Sequence, residues 1–221
     1  MAISFPRHVV LAKAQVDYAR HLSRPLVGVK GSKNPHVAIA TGMDGKHFVL
    51  ATRTGDRGAE QALIARASET TRAQKWSWQV AESAGLLFWK KPSMLRGMGD
   101  STVPVAQMST DGGGLDDLAT ELLLIPDAME EASTMLRSDV LFCIVPKRGW
   151  LLVSRGEVGN PFAAQNMHSA ASGIASRGGT SAIAGDIVLI WQSGKLTGVD
   201  GRNGTKGYIS LQGEDESTWW P

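Results

Sequence analysis

The feature that most constrains this fold is an echo at a fixed distance. Arg53 and Arg155 are 102 residues apart, and so are Trp89 and Trp191. Around both pairs the same order of pieces recurs. Residues 37–41 are apolar, Gly42-Met-Asp-Gly45 is a turn, and residues 48–53 are apolar again and close on an arginine. A helical stretch follows, then the run 86–89, a turn, and 94–98. In the second half the run 140–145, the turn Pro146-Lys-Arg-Gly149 and the run 150–155 stand in the same places. A helix opening at Asn160-Pro161 follows, then 187–191, a turn, and 195–199. A constant offset across two landmarks marks an internal repeat. It predicts an α+β fold of duplicated hairpin–helix–hairpin modules, with mainly antiparallel sheets covered by helices. Turns this short do not allow parallel crossovers.

Four segments follow from that pattern. Residues 1–100 form a first α+β module with an N-terminal helix. Residues 101–116 are a connector rich in Gly, Ser and Asp. Residues 117–212 form the second module, and residues 213–221 are an acidic, Trp-containing tail.

Within the first module, Pro6 suits a first helical position, where its missing N–H costs nothing. Leu11, Ala14, Tyr18 and Leu22 recur at three- and four-residue steps. A helix is therefore expected over 6–22, ending before Arg24-Pro25. A short strand follows at 26–30. Residues 37–41 and 46–52 make the first hairpin, with Asp44-Gly45 supplying positive φ at its turn. Asp56 is placed to cap a helix over 58–74, whose inner face would use Ala59, Leu63, Ile64 and Ala67. Trp76-Ser-Trp-Gln-Val80 alternates as a half-buried strand does.

In the second module, residues 118–125 are a near-continuous apolar run, interrupted by Thr120 and Glu121, and are expected to be a strand. Pro126 then starts a helix with Met129, Ala132, Met135 and Leu136 turned inward. A second hairpin is expected over 139–154, a helix over 161–176, and strands at 187–191, 195–199 and 208–211.

Composition limits the function classes. With 43% hydrophobic and 20% charged residues in 221, the chain can bury a core and is not built for disorder. The net charge is +2, from 23 basic against 21 acidic residues. The basic residues are dispersed, which argues against a nucleic-acid partner. Cys143 is the single cysteine, so no intramolecular disulfide or thiolate cluster can form. Its apolar surroundings give it the part of a small core hydrophobe. No basic-then-apolar leader is present, and no apolar run reaches the roughly 18 residues of a membrane span. A cytoplasmic protein without a membrane partner is expected.

Catalytic chemistry has little to rest on. His8, His21, His36, His47 and His168 show no metal-binding spacing, although His36 and His47 flank the first hairpin and would approach each other there. No phosphate-binding glycine loop and no Gly-x-Ser-x-Gly elbow occurs. Asp111-Gly-Gly-Gly114 with Asp116-Asp117 lacks the regularly spaced oxygens of a calcium loop. No catalytic residue, cofactor or metal is therefore assigned. The interaction candidates are four. Arg53 and Arg155 close matching hairpins, where each would bind an anion, clamp the following loop, or pair with Asp56 or Glu157. Trp219 and Trp220 are costly to leave in water and should pack on the body or on a partner.

The C-terminal half resembles an uncharacterised bacterial family, domain-of-unknown-function family 1444, over about residues 111–199. The similar run begins at Asp111-Gly-Gly and continues through Glu121-Leu-Leu-Leu-Ile125 into a helix. It then takes in residues 140–145, 150–154 and Leu189-Ile-Trp191 with Gly194-Lys195-Leu196. The resemblance implies a bacterial α/β protein and carries no catalytic residue with it. The residues thus point to a non-catalytic binding or adaptor protein, acting through protein–protein contacts or self-association. The alternative is an enzyme or small-anion-binding protein with a site in the cleft between the repeats.

Overall fold

The computed structural model describes residues 4–26, 35–45, 47–74, 76, 78–81, 86–88, 119–156 and 187–200. Several expectations fall outside them: most of the short strand at 26–30, Trp89, the strand at 94–98, the connector, the helix at 161–176, the strand at 208–211, and the tail with Trp219 and Trp220.

The first sheet is built on one long strand. β1 (Arg7–Leu11), β2 (Ser23–Pro25), β3 (His36–Asp44) and β4 (His47–Leu50) are its members. β1 lies along one side of β3, from Arg7 opposite Ala40 to Leu11 opposite His36. β2 lies along the other side, and β4 takes over where β2 ends, after a bulge between Ala40 and Gly42. Gly45 turns the chain between β3 and β4 at φ 55°, as Asp44-Gly45 predicts.

The helix expected over 6–22 is not formed. Arg7–Leu11 is a strand, and only a 3-10 turn, Lys13–Gln15, follows it. The apolar stripe through Leu11, Ala14, Tyr18 and Leu22 is a coincidence of spacing. His8-Val-Val-Leu11 is buried along its whole length between β3 and α1, and pleated packing of that kind overrides a helical period.

The second sheet has six strands in the order β10-β9-β7-β8-β6-β5. They are β5 (Gln79–Ala81), β6 (Leu86–Phe88), β7 (Val140–Ile144), β8 (Leu152–Arg155), β9 (Ile187–Gln192) and β10 (Lys195–Asp200). Every pairing in both sheets is antiparallel among the described residues. The hairpins β7–β8 and β9–β10 stand where the sequence places them, with Gly149 (φ 76°) and Ser193-Gly194 (φ 49° and 77°) at the turns. β5 starts at Gln79, so Trp76 and Trp78 precede the strand expected to contain them. β6 pairs with β5 and β8, so two strands from the first hundred residues complete the sheet of the second half.

Two helices are described. α1 (Arg57–Arg72) opens at Asp56, whose side chain accepts the N–H groups of Gly58 and Ala59. Its buried face is Ile64, Ala67 and Thr71, and Ala59 is exposed. α2 (Pro126–Leu136) has proline in its first turn and ends on Arg137 in the left-handed region. It buries Ala128, Met129, Ala132 and Leu136, while Met135, expected inward, is 40% exposed.

Residues 119–124 form a 3-10 helix and not the strand expected at 118–125. Leu122, Leu123 and Leu124 are all buried there. Their continuous apolarity comes from enclosure on all sides, which leaves no period to separate helix from strand. One apolar core joins this segment and α2 to Leu141, Cys143, Val153, Leu189 and Trp191 of the second sheet, and to Val10 and Val37 of the first.

Candidate functional site

The chemistry of the described residues gathers at the outer edge of β1. The backbone N–H groups of His8 and Val10 face away from β3 and need acceptors from elsewhere, because a buried unpaired N–H is costly. Among the described residues no further strand supplies them. The hydroxyl oxygen of Thr71, on the last turn of α1, accepts from His8 N at 3.0 Å, while its hydrogen goes to the carbonyl of Ala67. The carboxylate of Glu121 accepts from Val10 N at 2.8 Å. Two side chains thus do the work of the missing strand.

Glu121 is only 1% exposed. Its Oε1 takes the Val10 N–H and its Oε2 takes the Thr120 hydroxyl at 2.8 Å. Arg7 from β1 and Arg148 from the β7–β8 turn act on it electrostatically. Arg7 is buried too, and one guanidinium nitrogen donates to Gln74 Oε1 at 2.5 Å. Its Nε has no hydrogen-bond partner among the described residues. The Arg148 guanidinium lies over the ring of Phe48, 4.4 Å from its centroid. The cluster therefore ties both sheets, α1 and the 3-10 segment at one point.

Opposed effects set the acidity of Glu121. Burial penalises its charge and dominates. The Val10 N–H, the Thr120 hydroxyl and the two arginines favour the charge. The balance raises its pKa to about 7. Burial also lowers the proton affinity of both arginines, against the pull of Glu121.

The histidine expectation is corrected. His36 opens β3 and His47 opens β4 opposite Asp44, at the far end of the same nine-residue strand. At a strand's rise that separates their backbones by roughly 26 Å. His36 is buried with its ring 4.6 Å from that of Tyr18, and burial, with Lys13 nearby, lowers its pKa to about 4. Burial pushes the Cys143 thiol far up, so it is no nucleophile.

Arg155 ends β8 while Arg53 lies in the loop between β4 and α1, and each holds backbone. Arg53 donates to the carbonyls of Tyr18 at 3.2 Å and Ser23 at 3.0 Å. Arg155 donates to the carbonyl of Leu136 just before the end of α2. Asp56 is occupied as a helix cap. Trp76 and Trp78 both pack on α2, donating to Glu131 and to the Ala128 carbonyl.

Sequence reading missed the cluster at Glu121, although one signal was present. Glu121 interrupts an otherwise apolar run, and a carboxylate there must be either turned out to water or bonded within. Arg7 and Arg148 carried no such mark.

Among the described residues, no group of acidic, histidine and cysteine side chains could hold a metal ion, and no helix is long and apolar enough to cross a membrane. No family model, curated protein or solved structure matches the chain.

Proposed function

We propose that this protein acts by binding, through protein–protein contacts or self-association, and not by catalysis. The observation that supports this is the enclosure of its most strongly perturbed groups. Glu121, His36 and Cys143 are all buried, and Glu121 spends both oxygens on internal donors. What remains on the surface is contact chemistry: Tyr18, Val49 and Met135 are 40%, 45% and 40% exposed. The sequence also carries Trp219 and Trp220, aromatic residues of the kind that dominate interfaces. A cytoplasmic setting suits a chain with one buried thiol.

The duplicated-module reading belongs with this proposal. It is supported by β3–β4 and β7–β8, two antiparallel hairpins each followed or closed by an arginine. The pairing of β6 with β8, where β9 pairs with β7, weighs against strict equivalence.

The test compares the full chain with one ending at residue 213. Sedimentation measures self-association, and affinity capture followed by reconstitution with the purified partner measures binding. Loss of either on truncation supports the proposal. Equal behaviour of the two chains removes the tail from it, and a monomer without a reconstitutable partner contradicts it.

A further inference from the structure

A buried carboxylate that finishes a sheet edge has two protonation states, and the groups around Glu121 can serve both. When it is ionised, Val10 N–H and the Thr120 hydroxyl donate to it. When it is protonated, its own O–H needs an acceptor. A hydroxyl rotates and can accept as well as donate, so Thr120 can turn its lone pair to that proton without moving the backbone. The Val10 N–H keeps the other oxygen in either state.

We propose that Glu121, with Thr120 as its reversible partner, is a proton-operated latch holding the 3-10 segment 119–124 against the edge of β1. The latch is firm when the carboxyl carries its proton and loosens when it does not, because the ionised group gains far more from water than the neutral one. Release uncovers the Val10 N–H. The charged and titratable groups around the latch are few. β1 brings Arg7 and the buried His8, the β7–β8 turn brings Arg148 beside Lys147, α1 brings the neutral Thr71, and Gln74 follows just beyond α1. The arginines stay charged across the working range.

Amide hydrogen exchange of the full-length protein at Val10 reads the latch. Protection, corrected for the intrinsic exchange rate, should fall roughly thirtyfold from pH 5.5 to pH 8, given a carboxyl held to about 7 in the fold and ordinary once open. Glu121→Gln keeps an oxygen for Val10 and should abolish that fall. Thr120→Val removes the hydroxyl that serves both forms, so protection at Val10 should fall at both pH values. This second variant serves if the first does not fold. Constant protection at Val10 between the two pH values overturns the proposal. So does the same fall in Glu121→Gln, or unchanged protection in Thr120→Val.

Discussion

At the residue scale, the structure turns on one carboxylate among donors. Glu121→Leu leaves the Val10 N–H and the Thr120 hydroxyl without their acceptor, and should cost about 2–4 kcal/mol in denaturant unfolding. Glu121→Gln retains the acceptor and should cost only about 1–2 kcal/mol. The pH dependence has two opposed parts. The unfolded chain releases the Glu121 proton near the ordinary carboxyl value, while the fold holds it to about 7. The fold therefore binds the extra proton between those values, and this part of stability falls as pH rises through them. His36 works the other way. Its pKa is lowered to about 4 in the fold, so the unfolded chain binds the extra proton between that value and about 6.5. Stability from His36 is present above this window and is lost as pH falls through it. Between about pH 5 and 6.5 the two slopes offset each other, and wild-type stability should change little. Glu121→Gln should uncover the His36 slope, with stability rising by about 1 kcal/mol per pH unit in chemical unfolding. A flat profile in that variant would contradict the assignment.

At the element scale, local rules were legible where a turn or cap dictates them. Asp56 caps α1, Pro126 opens α2, and Gly45, Gly149 and Gly194 turn their hairpins at positive φ. These depend on neighbours in sequence. What was not legible depends on distant partners. Residues 7–11 become a strand because β3 lies beside them, and residues 119–124 a 3-10 helix because two sheets and α2 enclose them. Two variants check this scale. Asp56→Ala should cost about 1 kcal/mol by removing the acceptor for Gly58 and Ala59. Gly156 lies just beyond β8, where an added methyl would sit 2.7 Å from Val140 Cγ1 and 2.8 Å from the Phe142 ring. Gly156→Ala should therefore cost about 1–3 kcal/mol through overpacking, read as a lowered unfolding midpoint.

At the scale of the whole molecule, the two halves share one core and one polar junction. Val10 and Val37 of the first sheet pack with Leu141 and Leu189 of the second, and Arg148 reaches from the β7–β8 turn to Phe48 on β4. The constant offset in the sequence leads to two hairpins, and β3–β4 and β7–β8 are antiparallel. It did not foretell that β5 and β6 would complete the second sheet, because an edge accepts any strand that matches its register and apolar face. Arg53 and Arg155, which sequence symmetry brings forward as a pair, hold separate backbone carbonyls, Arg53 those of Tyr18 and Ser23 and Arg155 that of Leu136. Glu121 was passed over because a single charge in an apolar run has no periodic signature. The direct measurement is a carbon-detected NMR titration of the Glu121 carboxyl in the intact protein. The account predicts a midpoint near 7, with the Val10 amide shifting in step. A midpoint at the ordinary carboxyl value of about 4.3, with Val10 unmoved, would show that water and not β1 surrounds this group.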